Sequence, residues 1–321
     1  MNIPVFDLHC DTALALLGSS YRECGELRSN NLHIDLTRSG TLPGYAQCFA
    51  CFTSPLDKLP KSVSVEQVFE WEMVTVLREI EKNADLIRLA YCADDVEKNK
   101  ESGIMSAILT IEGPAGFGYD ANLLSDLYKV GFRITTLGWN ESNPLTGSHV
   151  TGGGLTEQGR EYVKESQRLG MLVDVSHISD EGFWDIMNIT EGPVIATHSN
   201  SRTVYNVSRN LTDEMFSKIC ETDGVAGINL YADFLGAEPT LDTVCDHIFH
   251  WLELDATGKH ICLGGDLDGC SRLPADFNGV QDYPKLADAL SRRGLDKQTI
   301  ENIFWNNAVG VMKGAVRKHK K

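Results

Sequence analysis

Short apolar runs alternate with amphipathic stretches from the first residues of the chain almost to the last. The runs fall at 5–9, 46–53, 104–111, 133–139, 171–177, 194–198, 224–231 and 261–265. They are nearly continuous in apolar residues, the pattern of parallel strands covered on both faces. Helical patterns separate them at 64–83, 122–130, 156–169, 180–187, 212–221 and 241–254. The first of these opens on Ser64 and Gln67, the spacing of a capping box. After the eighth run, 283–291 and 297–313 read as two closing helices. Eight strands with intervening helices predict a (β/α)8 barrel of the α/β class, one domain over residues 1–321. A doubly wound dinucleotide fold would place GxGxxG after the first strand, and no such turn is there. The polar, glycine-rich stretch 18–43 predicts a long loop after the first strand, on the side where barrels carry function.

Composition narrows the function. A net charge of -16 over 321 residues argues against a nucleic-acid partner, because phosphate binding needs clustered Lys and Arg. The basic end, 316–321, reads as a frayed tail. No stretch reaches the roughly 18 apolar residues of a membrane span. The opening residues carry neither a basic region nor an apolar core of a leader, so a cytoplasmic protein is expected. Nine cysteines lie scattered without a framework, as in a reduced chain with buried thiols. Cys48 and Cys51 form a CxxC, but no second pair or adjacent histidine accompanies it.

The ionisable residues hold the chemistry. His9 and Asp11 close the first predicted strand, Glu112 the third, His177 the fifth, His198 the sixth, and Asp266 with Asp268 the eighth. In a barrel these strand ends meet at one mouth. Alternate strand residues share a face, so His9 and Asp11 point together while Cys10 points away. Imidazole and carboxylate donors suit Zn²⁺. Glu112 has two oxygens and can bridge two metals. His177 and His198 come from neighbouring strands and can hold the second. Asp266, in Gly264–Gly269, is placed to carry a proton from water; Asp268 reads equally as a turn stabiliser. Together these residues predict a dinuclear metal site with a proton-carrying carboxylate.

The same residues carry a resemblance. FDLHCDT at 6–12, IEGP at 111–114, DVSHIS at 174–179, ATHSN at 196–200, SRNLTD at 208–213, GGDLDG at 264–269 and WNNAVGVM at 305–312 are similar in order and spacing to the renal (membrane) dipeptidases. These are the M19 zinc peptidases of the amidohydrolase superfamily. The HxD of His9 and Asp11 sets this branch apart from relatives that begin with HxH. The resemblance implies two Zn²⁺ per subunit, one on His9, Asp11 and Glu112 and the other on Glu112, His177 and His198. It implies a dipeptide substrate cleaved by a metal-bridging hydroxide, with C-terminal D-residues accepted, and a homodimer. It assigns Asp266 to the proton, Arg209 to the substrate carboxylate, and Tyr231 to the pocket wall. One position departs from the pattern: Trp139 stands where the best-known members carry a histidine that helps hold the oxyanion. Trp139 Nε1 can take that role, a zinc ion can cover the charge, or the substrate differs. Two other readings stay open. One is hydrolysis of another amide, a lactone or a phosphoester at the same centre; the other is a binding protein that kept the barrel and lost the chemistry.

Overall fold

Nine parallel strands organise the described residues: β1 Val5–Cys10, β2 Tyr45–Phe52, β3 Ile87–Leu89, β4 Met105–Glu112, β5 Phe132–Thr136, β6 Leu172–Asp174, β7 Val194–Ile195, β8 Ala226–Ile228 and β9 Ile261–Leu263. A computed structural model describes residues 1–18, 25–54, 59 and 62–317. Part of the 18–43 loop (19–24) and the end of the basic tail (318–321) lie outside the described residues.

Eight strands follow one another in the order β7-β6-β5-β4-β2-β1-β9-β8. A parallel bridge between Ala196 and Ala226 joins the two ends and closes the barrel. β3 was not expected. It has three residues, only Ile87 is buried, and so no apolar run announces it. It pairs with the first half of β4, at Met105 to Ala107, while β5 pairs with Leu109 to Glu112 on the second half. An unexpected helix, Ala93–Glu101, follows β3; it buries only Ala93, Val96 and Asn99.

The barrel interior is filled by side chains from many strands at once. Phe6, Cys48, Ile108, Ile134, Leu172 and Cys262 form one buried cluster with Trp305 and Met312 of the closing helical segment. Cys51, three residues from Cys48, belongs to the other cluster, between strands and helices. An odd spacing on a strand puts the two thiols on opposite faces, so the CxxC is no joint site. The eight described cysteines are all free thiols.

The capping box at Ser64 and Gln67 is present and opens the helix Val65–Lys82. The second closing helix is broken: Lys297–Glu301, a π-turn over Asn302–Asn306, then Asn307–Arg317. The 18–43 stretch contains a short helix, Leu36–Ser39, capped by Asp35. Among the described residues no helix is long and apolar enough to cross a membrane.

Candidate metal centre

Several strands end earlier than their apolar runs suggest. β6 stops at Asp174, β7 at Ile195 and β9 at Leu263. His177, His198 and Asp266 each lie three residues beyond, in the turns that leave the barrel. His177, Asp266 and Asp268 have positive φ, at 69°, 56° and 69°. Such angles are unfavourable for a side-chain-bearing residue and persist where the surroundings impose them. Trp139 likewise lies past the end of β5, in a loop. Only His9 and Glu112 sit within strands.

These turns converge. His9 Nε2 lies 3.2 Å from Glu112 Oε2 and 3.7 Å from Asp11 Oδ2. Glu112 turns its other oxygen, Oε1, to His177 Nε2 at 3.0 Å and His198 Nε2 at 3.7 Å. The two histidine Nε2 atoms are 2.9 Å apart. One carboxylate thus faces histidines on both sides, one oxygen to each. Asp266 joins His9 and Asp11 in a second group whose donor atoms all lie within 4.8 Å of one another.

The tautomers decide what this cluster can bind. His177 Nδ1 faces the amide oxygen of Asn140 at 2.9 Å. An amide oxygen only accepts, so Nδ1 carries the proton and Nε2 presents a lone pair. His198 Nδ1 faces Thr197 Oγ1 at 2.7 Å, and that hydroxyl donates to Asp174 Oδ2 at 2.6 Å. The Thr197 oxygen therefore accepts from His198, whose Nε2 is also bare. Two lone pairs and a carboxylate oxygen meet with no proton among them. His9 Nε2 and Asp11 Oδ1 are buried without a hydrogen-bond partner. Three carboxylates, from Asp11, Glu112 and Asp266, crowd this buried space. Such an arrangement is costly unless cations fill it, and the nitrogen and oxygen donors match a Zn²⁺-type ion. His177 and His198 are each oriented from behind through Nδ1, as metal-binding histidines are.

Burial, with the charges of Asp11 and Glu112 adding to it, pushes the Asp266 carboxyl up to about 7; His9 and Arg209 pull the other way. Asn229 Nδ2 holds Asp266 Oδ2 at 3.1 Å, which leaves Oδ1 for other work. Asp268 has a different task. It accepts from Thr12 Oγ1 at 2.6 Å and from the backbone N–H of His33, and its own N–H donates to His33 Nδ1 at 2.9 Å. It fastens the 18–43 stretch to the barrel mouth.

A cavity of about 330 Å³ opens over the cluster. Asp11, Glu112, His177 and Asp266 form its polar floor; Phe52, Trp139, Tyr231 and Phe234 wall it. Trp139 packs edge-on against Phe52, ring centres 5.1 Å apart, and lies 6.1 Å from the His177 ring. Arg209 is buried nearby, and its Nη1 donates to Ser199 Oγ at 2.7 Å. Its Nε and Nη2 have no partner. Burial lowers this guanidinium to about 10, partly offset by Asp266, Asp174 and Glu112, so it stays charged at neutral pH.

Sequence reading did not single out Asn140, Asp174 or Asn229. Asn140 Oδ1 accepts from both His177 and His149, at 2.9 and 2.8 Å. Asp174 accepts from Thr136, Ser176 and Thr197 and holds the two histidine turns together. A signal for Asp174 exists: it is an aspartate inside an otherwise apolar run.

Gly269 shows how tightly the acids are packed. A methyl at its Cα would overlap Asp11 Oδ2 and sit 2.5 Å from Asp266 Oδ1. We therefore expect Gly269→Ala to leave the fold intact and to cut turnover roughly 10²-fold, the scale of an ångström-level misplacement. Circular dichroism beside kcat checks this, and full activity in the variant would contradict it.

Barrel and converging donors together define a metallo-dependent hydrolase of the (β/α)8 type. The chain belongs to the membrane dipeptidase family, peptidase family M19, whose family model matches residues 1–321. It is 31% identical over 258 residues to an uncharacterised protein encoded in the region 5′ of pqqA in Klebsiella pneumoniae, covering 76% of this chain and 94% of that one. It is 34% identical over 216 residues to an uncharacterised dipeptidase of Schizosaccharomyces pombe, covering 65% of this chain and about half, 53%, of that one. Among solved structures it is similar to a metallopeptidase of Rhodobacter sphaeroides bound to a phosphinate mimic of the dipeptide L-Ala-D-Ala. That match has a TM-score of 0.88 and 27% identity, covering 98% of this chain and all of that one.

Proposed function

We propose that this protein is a zinc-dependent dipeptidase that cleaves short substrates bearing a free C-terminal carboxylate. The observation that carries this is the pairing of a proton-free donor cluster with the two unpartnered nitrogens of Arg209, Nε and Nη2. A buried charged donor without a partner is rare and costly. A carboxylate is the planar anion that the guanidinium fork fits best. The relative that binds an L-Ala-D-Ala mimic supports a dipeptide, and acceptance of a D-residue at the C-terminal position is part of the proposal.

His9, Asp11 and Glu112 would hold one zinc, and Glu112, His177 and His198 the other. Bound there, the pair supplies a water acidic enough to ionise near neutral pH and a Lewis acid for the scissile carbonyl. The chain's own residues do the remainder. Asp266 Oδ1 takes the proton of the attacking water and returns it to the leaving nitrogen, while Asn229 keeps Oδ2 in place. Arg209 fixes the carboxylate end, so only a short peptide reaches the floor. Trp139, Phe52 and Tyr231 exclude bulk water and frame the substrate side chains.

Metal content by mass spectrometry, followed by hydrolysis of L-L and L-D dipeptides beside their C-terminal amides, lactones and phosphoesters, tests the reading. Dipeptides should exceed every other class. We expect Arg209→Met to lower kcat/KM for free dipeptides about 10²-fold or more, mostly through KM, since loss of one partner of a buried charge pair costs about 2–5 kcal/mol. The C-terminal amides should change little. Equal losses on both would remove Arg209 from carboxylate recognition. A phosphoester turned over faster than any dipeptide would favour the phosphoesterase reading.

A further inference from the structure

The barrel has a second cluster of metal-type donors, at the end opposite its mouth. Cys220 lies in the last turn of the helix Asp213–Glu221. Asp255 caps the C-terminus of the helix Leu241–Leu254. His260 immediately precedes β9. Each offers one ligand atom, and the three atoms lie within 4.8 Å of one another. The mouth residues lie at or just beyond the C-terminal ends of their strands, whereas this cluster sits where β8 and β9 begin.

Local hydrogen bonds prepare the donors. His260 Nδ1 is 2.7 Å from the carbonyl oxygen of Gly224. A carbonyl only accepts, so Nδ1 is protonated and Nε2 presents its lone pair. This is the same rear-side arrangement that orients His177 and His198. Asp255 accepts from Thr257 through Oδ1 and from the His260 backbone N–H through Oδ2, at 3.1 and 3.2 Å. The carboxylate is thereby locked to the histidine's own backbone and retains acceptor capacity on Oδ2. All three residues are half-buried, so an ion could reach them from solvent.

We propose that Cys220, Asp255 and His260 form a separate zinc site at the N-terminal end of the barrel, with a water completing a tetrahedral set. One sulfur, one nitrogen and one oxygen donor favour a borderline-soft ion such as Zn²⁺ over Mg²⁺ or Ca²⁺, which take oxygen alone. Binding forms the metal–sulfur bond and releases the thiol proton to solvent. The ion would tie the end of the helix Asp213–Glu221 to the turn entering β9. This role is structural and independent of turnover at the mouth.

Cobalt substitution tests the site without reference to activity. The hydrolytic centre draws its donors from histidine and carboxylate, so a thiolate-to-cobalt charge-transfer band in the near ultraviolet would come from Cys220. The full-length protein, stripped and reloaded with Co²⁺, should show this band; Cys220→Ser should lose it together with one equivalent of bound metal. Dipeptidase activity should persist in the variant. In the wild type, added Zn²⁺ should shield Cys220 from iodoacetamide, read by peptide mass mapping, which needs no variant. Absence of the band, or its survival in Cys220→Ser through another cysteine such as Cys270, would overturn the proposal. So would alkylation of Cys220 that Zn²⁺ does not slow.

Discussion

Asp266→Asn should keep the two zinc ions proposed at the mouth and lose between about 10² and 10⁴ in kcat, the range assigned to a positioned general acid–base group. The substitution is nearly isosteric. Asn229 Nδ2 can still donate to an amide oxygen at the Oδ2 position, so the turn keeps its shape. What disappears is the ability to accept a proton and give it back. Metal analysis beside kcat decides the assignment, because Asp266 also stands within ligand distance of His9 and Asp11. A variant that loses one metal together with its activity would make Asp266 a ligand. A variant that keeps both metals and full turnover would end its role as proton carrier.

The same substitution has a stability signature in the metal-stripped protein. Asp266 ionises near 3.8 when unfolded, and burial with the charge of Asp11 raises it to about 7 in the fold. Between those values the folded chain holds a proton that the unfolded chain has released. Stability from this group therefore falls as pH rises from about 4 to about 7, then levels off. Asparagine escapes that loss. The stripped variant should melt above the stripped wild type at pH 8, and the gap should close toward pH 4. A gap independent of pH would show that Asp266 does not titrate in this range.

The barrel and its principal donors were legible because both leave a pattern along the chain. Strands buried on two faces need continuous apolar runs, and an ionisable residue closing such a run stands out, as Glu112 and His198 do. Strand ends were not legible. Val175 is as apolar as Val173, yet the chain leaves the ladder after Asp174, since that side chain bonds the Ser176 and Thr197 N–H groups in place of a ladder partner. The supporting residues were equally hidden. Asn140 and Asn229 act through hydrogen bonds to partners such as His177 and Asp266, 37 residues away in each case, and a polar residue in a loop carries no periodicity. Trp139 was placed by resemblance alone; its edge-on contact with Phe52 is a feature of the folded wall.

Glu112→Gln should reduce bound metal and bring hydrolysis to background, the second of the large effects. Glu112 is buried at the end of β4, with Oε2 toward His9 and Oε1 toward His177 and His198. An amide offers one oxygen and one NH₂. The oxygen can face only one side, and the NH₂ turns a donor toward lone pairs that would otherwise bind a cation. The bridging charge is gone while the volume is unchanged, so the variant should fold. Its response to chelation then separates a lost metal from a lost shape. An ion that binds only the folded state at 10³ times its dissociation constant stabilises by about 4 kcal/mol. Adding a chelator to the wild type should therefore lower its Tm by several degrees. The glutamine variant keeps only the metal proposed at Cys220, so its Tm should fall by less than that of the wild type. If the chelator lowers both melting temperatures equally, Glu112 does not hold the metals and the assignment of this cluster fails.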